Sequence, residues 1–327
     1  MVMAGAMVRA VASALNKGAT VTLTQDIYDY YERTADNSFR THLGASLIGH
    51  ECNRYLWYSF HWSLRPKFGG RMLLLFDRGQ KEEERFCQHL RNIGIRVIEK
   101  DKDGNQKRVS ACGGHFGGSL DGAGKGFKDY DGWRVLEFKT HGEKSFKQFE
   151  TKTVFEAKPQ HYAQMQAYMH LTGLEQALYL AVNKNTDALY DEVVVYDKAY
   201  SEALLAKAHD IIFADCIPVR TLYDGYWQCR FCDYKDLCMG DLTPEINCRT
   251  CAHSTPREGG YWACEDYRDG LTTIGDTEMR KGCKWHLWNP DYFAHHSAVD
   301  NYVIGEYMEY LRNDGVKWKN FCGGVVK

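Results

Sequence analysis

The chain lacks any apolar run near the roughly 20 residues needed to span a bilayer, which excludes a membrane-spanning helix. Its first residues, MVMAGAMVRAVASALNK, hold only a short, broken apolar stretch, so no secretion signal is expected. Surplus charge is missing too: 41 Lys and Arg face 43 Asp and Glu, a formal net charge of −2. No chain-wide positive field gathers a polyanion, and a nucleic-acid partner must be held by local patches. There is no GxxxxGK[ST] run, so the sequence shows no P-loop for nucleoside triphosphate. Internal repeats and low-complexity tracts are absent. A soluble, cytoplasmic protein with no membrane partner is the expectation.

Cysteine is what the chain has in quantity, 12 in 327 residues. Without a secretion signal, and with seven of them in two short-spaced clusters, metal binding is favoured over disulfides. Cys87, Cys112, Cys216 and Cys322 are expected to be small buried hydrophobes. Cys229, Cys232 and Cys238 lie in CRFCDYKDLC with spacing C-x2-C-x5-C, one thiolate short of a four-ligand site. Zinc and a [4Fe–4S] cluster fit that spacing equally. Cys248, Cys251, Cys264 and Cys283 form the second cluster and suit a closed tetrahedral structural Zn2+ site. His286 replacing Cys264 is the main alternative ligand set.

Punctuation and periodicity predict an α/β protein. Residues 24–40 have helical character, Ser46 is a candidate N-cap for a helix from Leu47 to Trp62, and a further helix is predicted from Gln80 to Ile93. Residues 95–101 read as a strand. HFGGSLDG, AGKGFKDYDG and WRVLEFKT (115–140) read as strand, generous glycine-rich turn, strand. Residues 143–155 look like a polar, flexible connection, and a helix is predicted from Lys158 to Leu171, with Pro159 in its first turn and Gly173 past its end. Strands ALYLAV and EVVVYD and a long helix over 198–215 complete an α/β core, a mixed central sheet flanked by helices, over residues 41–240. Residues 1–40 form an N-terminal helical extension, 241–297 a small zinc-binding module too poor in aliphatic residues for a conventional core, and 298–327 a tail.

The period of two along WRVLEFKT places Glu137 and Lys139 on one face and Phe138 on the other. Asp121, sixteen residues upstream in GSLDG, would bring a second carboxylate beside Glu137 through hairpin pairing. Two carboxylates and the Phe138 backbone carbonyl make a hard oxygen site suited to Mg2+ or Mn2+. On the following helix Gln160, Gln164 and Tyr168 recur at i, i+4 and i+8, a polar stripe that is either a solvated face or a set of groups holding a lysine or phosphate. Glu83, four residues after Gly79, is either a further ligand or one of three exposed acids.

The series GxxxE (79–83), GSLD (118–121), EFK (137–139) and QMQAY (164–168), in this order, resembles the RecB-like branch of the PD-(D/E)xK nuclease superfamily. That branch includes bacteriophage exonucleases and the iron-sulfur nucleases of DNA repair and CRISPR adaptation. The resemblance covers about residues 41–240. It implies a restriction-endonuclease-like core, a metal held by Asp121 and Glu137, Lys139 serving the attacking water, and Gln164 and Tyr168 as the supporting helix motif. Many relatives carry histidine where this chain has Glu83, which leaves the fourth ligand open. Iron-sulfur members bring one cysteine from before the core, which makes Cys52 the fourth ligand to a [4Fe–4S] cluster with Cys229, Cys232 and Cys238; zinc, or a free Cys52, is the alternative.

The expectation is therefore a Mg2+- or Mn2+-dependent DNA nuclease, an exonuclease of recombination, repair or phage DNA metabolism, in a bacterial or phage-infected cell, working as a homo-oligomer or with a partner helicase or recombination protein. The rivals are a structure-specific or nicking endonuclease and a non-catalytic DNA-binding scaffold. Around the second cysteine cluster, Arg249, Arg257, Arg268, Arg280, Lys281 and Lys284 alternate with Tyr261, Trp262, Trp285 and Trp288. That mixture suits either a strand-binding surface or the packing face of a small zinc fold.

Overall fold

The computed structural model describes residues 22–222, 225–266 and 272–293, and the backbone of 297–298, 307–311, 317–321 and 324–326. The chain divides into two compact units, residues 1–37 with 66–81, and residues 38–65 with 82–327.

In the first unit, α1 (Leu23–Thr34) starts at Thr22, whose hydroxyl accepts from the Gln25 amide at 3.3 Å. The helix expected over 24–40 stops at Thr34, where Asp36, Asn37 and Ser38 follow with side chains that compete for the backbone. No residue of α1 is buried. Gly70 passes so close to α1 that a Cβ there would lie 2.4 Å from the Tyr28 Cα, and its amide donates to Glu32 at 2.6 Å. The part of the expected extension within residues 1–21, and Arg268 and Cys322, lie outside the described residues.

The second unit carries a mixed α/β fold. In chain order come β1 (Leu43–Gly44), α2 (Asn53–Phe60), α3 (Gly70–Asn92, whose first residues to Lys81 belong to the first unit), β2 (Arg96–Ile98), β3 (Arg108–Ala111), β4 (Phe116–Ser119), β5 (Gly122–Phe127) and β6 (Tyr130–His141). After β6 follow α4 (Pro159–Thr172), β7 (Gln176–Asn183), β8 (Leu189–Val195) and α5 (Lys198–Ile212). The main sheet has the order β2-β5-β6-β7-β8, with β6 and β7 parallel and the other neighbours antiparallel. A parallel pair needs a crossover, and α4 supplies it.

Alternation along β6 sorts its side chains between two cores. Leu136 and Phe138 pack with Phe86 and Leu90 of α3, whereas Val135 packs with Met165 and Tyr168 of α4. β7 has neighbours on both edges and cover on both faces, so its apolar run is continuous; β8, at the edge, alternates. Each fully buried aliphatic or aromatic side chain of these layers contributes roughly 1.5–3 kcal/mol. The α4-side core continues through Trp262, Met279, Trp288, Tyr292 and Phe293.

Four local expectations differ. Residues 45–49 are turns and the helix starts only at Asn53, with Cys52, not Ser46, at its N-cap position. Gly49 explains the delay: a Cβ there would sit 2.8 Å from the Gln160 Cα of α4, so the chain must pass rather than coil. α3 begins at Gly70, ahead of Gln80, because RMLLLF is strongly helix-forming and Gly79 faces open space. AGKGF is strand rather than turn, joined to β6 through Lys128 and Asp129 with a bulge at Gly126, whose φ is +105°. Residues 143–157 hold short helical turns with Phe149 and Val154 buried, closed by a capping box of Thr153 and Glu156.

β9 (Ser254–Arg257), β10 (Tyr261–Cys264) and β11 (Thr272–Ile274) form a small antiparallel sheet, and β12 (Ser297–Ala298), β13 (Tyr307–Leu311), β14 (Lys317–Phe321) and β15 (Gly324–Val326) form another, of order β12-β13-β14-β15, where a tail was expected. Among the described residues no helix is long and apolar enough to cross a membrane.

Candidate catalytic and metal-binding sites

The expected hairpin strand carrying Asp121 is split. β4 pairs with β1 and β3 in a separate sheet, and the chain enters the main sheet only at Gly122, so Asp121 sits at the crossing between sheets. The β5–β6 ladder ends with Gly122 opposite Leu136. Beyond it the Phe138 N–H donates to Asp121 Oδ2 at 2.8 Å, a side chain standing where the next strand carbonyl would be. N–H and C=O of one residue in a strand point to the same edge, so the Phe138 carbonyl faces the edge where Asp121 lies.

On the α4 side of β6, Glu137 is fully buried and Lys139 donates to its Oε1, while Oε2 has no hydrogen-bond partner. Burial pushes the Glu137 carboxyl up to about 8; Lys139 opposes that rise and Asp121 adds to it. Asp121 is raised by burial, against the pull of Lys139 and of the Phe138 amide. Glu83 is pushed up to about 7 by burial and then by Asp121, whereas Glu82 pairs with Arg85 at 3.3 Å and Glu84 is exposed. Of the three consecutive glutamates in α3, Glu83 is the one turned to the cluster. For Lys139, burial alone would lower the amine, but Glu137 and Asp121 hold it protonated above the ordinary lysine value. Three crowded acids against one ammonium, with a buried oxygen unpaired, fit a divalent cation.

Gln164 and Tyr168 are buried, whereas Gln160 is exposed, so the expected stripe divides. Gln164 donates to the Tyr168 hydroxyl at 3.2 Å, which donates to the Ser119 carbonyl at 2.9 Å. Gly118 makes room: a Cβ there would meet the Tyr168 hydroxyl at 2.6 Å. The helix motif thus holds the strand two residues ahead of Asp121.

Sequence reasoning missed a row beside this cluster. His141, next on the face of Glu137 and Lys139, lies 2.8 Å from the Tyr179 hydroxyl, and His161 of α4 lies 3.0 Å from the same oxygen. Tyr179 stands opposite Glu137 in the β6–β7 register. Burial lowers both histidines, His141 to about 4, so they are neutral near pH 7. The continued alternation 137, 139, 141 was the available signal.

The cysteines gather at two places. Cys248, Cys251, Cys264 and Cys283 line one small cavity of about 20 Å³, together with His253 and His286. Burial and then the neighbouring thiols push Cys248 up to about 12; Cys251 reaches about 11 chiefly through burial. His286 Nε2 meets Thr250 Oγ1 at 3.1 Å. At the other place Cys52, Cys229 and Cys232 line a cleft of about 680 Å³. Burial pushes Cys232 up to about 11, with Cys52 and Cys238 contributing, and Arg54 Nη1 lies 3.8 Å from Cys238 Sγ. Lys207, which donates to the Ile48 and His50 carbonyls at 3.0 and 2.7 Å, feels the Cys52 thiol. Soft sulfur donors beside two cations suit a thiolate-bound centre with net negative charge. Among the described residues no group of three or more His, Cys, Asp or Glu is spaced to hold a metal ion as it stands.

The basic and aromatic mixture around the second cluster is mostly packing. Arg249 is buried, with its Cζ 3.9 Å from the Trp62 ring centre and 4.8 Å from that of Trp262. Trp262 and Trp288 are buried, Arg257 pairs with Glu265, Arg280 lies over Trp62, and Lys284 lies over Trp285.

No family model matches the chain, and no curated protein matches it. Among solved structures it is similar to the crystal structure of an alkaline exonuclease (LHK-Exo) from Laribacter hongkongensis, at 14% sequence identity and a TM-score of 0.40, over 56% of this chain and 90% of that one. The same exonuclease in complex with dAMP gives 14% identity and a TM-score of 0.38, over 57% and 90%. The crystal structure of SSO0001 gives 15% identity and a TM-score of 0.40, over 68% and 98%.

Proposed function

We propose that the protein is a divalent-metal-dependent DNA nuclease, working as an exonuclease, with Asp121, Glu137 and Lys139 at its catalytic centre. The observation that carries this reading is the convergence of Asp121, Glu83 and Glu137 around one lysine, with Glu137 Oε2 unpaired. Asp121, Glu137, Glu83 and the Phe138 carbonyl would hold Mg2+ or Mn2+. A divalent ion so held polarises a phosphodiester and lowers the pKa of water. Lys139 keeps its proton, places the attacking water by hydrogen bonding and offsets the negative charge that grows on the phosphoryl oxygens. Tyr168 and Gln164 fix the Ser119 carbonyl and so the approach of Asp121. DNA as the partner, and the exonuclease mode, follow from the motif resemblance.

For the cysteines we favour Zn2+ held by Cys248, Cys251, Cys264 and Cys283, with His286 engaged by Thr250, and a [4Fe–4S] cluster held by Cys52, Cys229, Cys232 and Cys238. Both are structural: the second ties the chain before the core to the chain after it. Purified protein is expected to be brown, and to lose that colour in Cys232→Ser; a colourless protein holding two zinc ions would replace the iron-sulfur assignment.

Linear, covalently closed circular and branched DNA, each with Mg2+ and with EDTA, test the main reading. Loss of ends from linear DNA in Mg2+, none in EDTA, and none with Lys139→Ala is the expected result. Cutting of closed circles would make it an endonuclease, and full activity in Lys139→Ala would remove the catalytic assignment.

A further inference from the structure

Upstream of Asp121 a second cleft, of about 1020 Å³, opens on the same face of β6 as Glu137. Its floor includes Leu120, Trp133 and Val135, and its rim Gln106, Lys107 and Arg108. Strand rise of about 3.4 Å per residue sets Val135 roughly 7 Å and Trp133 roughly 14 Å along the strand from Glu137. Ser119, Leu120 and Gly122, on either side of Asp121 in the chain, also line it.

The rim is built rather than incidental. Asp101 Oδ1 accepts from the amides of Asp103 and Asn105 at 2.9 and 3.0 Å, which closes a turn and spends that carboxylate locally. The Lys107 carbonyl accepts from the Leu120 amide at 2.8 Å, which ties the rim to the strand carrying Asp121. Lys107 and Arg108 form no ion pair among the described residues. Arg96 lies over the Trp133 ring at 5.5 Å. An apolar floor holding an indole, beneath a rim with two uncommitted cations and an amide, matches a flat aromatic base joined to a phosphate.

We infer that this cleft is a nucleotide subsite, taking the base of a nucleotide near the scissile phosphate against Trp133 and its phosphate at Lys107 and Arg108. The inference rests on the nuclease reading and names where that substrate lies. The same chemistry is offered by a free nucleoside monophosphate and by a nucleotide within a strand.

The test is equilibrium binding in EDTA, where no cleavage occurs, of dAMP and of a fluorescein-labelled single-stranded oligonucleotide. Proteins compared are the wild type, Lys107→Ala/Arg108→Ala, Trp133→Leu and Trp133→Phe, each with its melting temperature recorded. Losing a stacked base is worth about ten- to a hundredfold in affinity. The expected result is such a loss for the oligonucleotide in the double variant and in Trp133→Leu, near recovery in Trp133→Phe, and unchanged melting of the double variant. A parallel loss for dAMP assigns the cleft to free nucleotides as well; loss for the oligonucleotide alone assigns it to the strand. Wild-type affinity in the double variant and Trp133→Leu overturns the subsite, even if Mg2+-dependent cleavage is normal. Cleft-dependent binding without cleavage in Mg2+ leaves the subsite standing and removes the nuclease reading.

Discussion

Lys139 and Arg249 are both cations held largely out of water, and the groups around them differ in kind. Arg249 donates to the Phe60 and Thr41 carbonyls at 2.9 and 2.8 Å and lies among the rings of Phe60, Trp62 and Trp262. Burial lowers it to about 9, with Asp276 opposing, so it stays charged near neutrality. The carbonyls it donates to are neutral and gain their hydrogen bonds from it, and removing solvent from them has no chemical use. Lys139 instead faces acids raised by burial, one with an oxygen left unpaired. Buried polar atoms are normally paired, and an exception calls for a cause. A core cation and a site cation are therefore told apart by what their partners still lack.

The largest expected effect breaks that comparison directly. Glu137→Gln should lower cleavage about a hundred- to a thousandfold, the size of loss seen when one preorganised electrostatic group is removed. Its urea midpoint should stay or rise, because a crowded acid is gone. Arg249→Ala should do the reverse. Stripping the buried Phe60 carbonyl of its donor costs about 1–3 kcal/mol, and the part-buried Thr41 carbonyl loses its bond too, read as a lower urea midpoint with turnover per folded molecule unchanged. If Arg249→Ala stops cleavage without destabilising the protein, or Glu137→Gln destabilises it without stopping cleavage, the two roles have been exchanged.

The same contrast explains what the sequence could reveal. Glu137 and Lys139 were legible because strand alternation fixes faces from residue types alone, and the sheet of β6, β7 and β8 followed from apolar runs of strand length. Asp121 was legible as an acid near Glu137 but not as a residue at a crossing between sheets, because the pairing of β4 with β1 depends on a partner some seventy residues away. Arg249 was illegible. A cation between two cysteines reads as a nucleic-acid contact until Phe60 and Trp62 are seen to enclose it. His161 and Tyr179 were missed because only the packing of α4 on β7 brings them together.

A smaller effect comes from acid. His61 is buried, stacked on Trp57 at 3.7 Å between ring centres, with Nδ1 3.0 Å from the Trp57 carbonyl. Burial lowers it from 6.5 to about 3, the Trp57 carbonyl opposing and Arg249 adding to the shift. A folded value below the unfolded one means that the unfolded chain binds the proton first. Stability from this group is whole above pH 6.5 and is lost as pH falls through that value toward 3. Between pH 6.5 and 5 the loss is about 2 kcal/mol, taking about 1.4 kcal/mol per pH unit. In urea titrations across that window His61→Phe should show a shallower fall; an identical slope in both proteins would mean that other groups govern acid sensitivity.

The smallest effect falls between the two regions. Tyr168 is core by burial, yet its hydroxyl bridges Gln164 and the Ser119 carbonyl two residues from Asp121. Tyr168→Phe keeps the ring and removes only the oxygen, so the core should lose about 1 kcal/mol. If the bond matters only for packing, turnover per folded molecule is unchanged. If it sets the placement of Asp121, the same energy appears in the barrier, where about 1 kcal/mol is roughly fivefold in rate. The expected outcome is a kcat lowered by about that factor, a KM for DNA unchanged, and a raised Mg2+ requirement, because the misplaced group would be a metal ligand under the proposed reading and not a substrate contact. A stability loss with kcat and Mg2+ requirement untouched would make Tyr168 a core residue like Arg249, and would move the boundary of the site back to the strand.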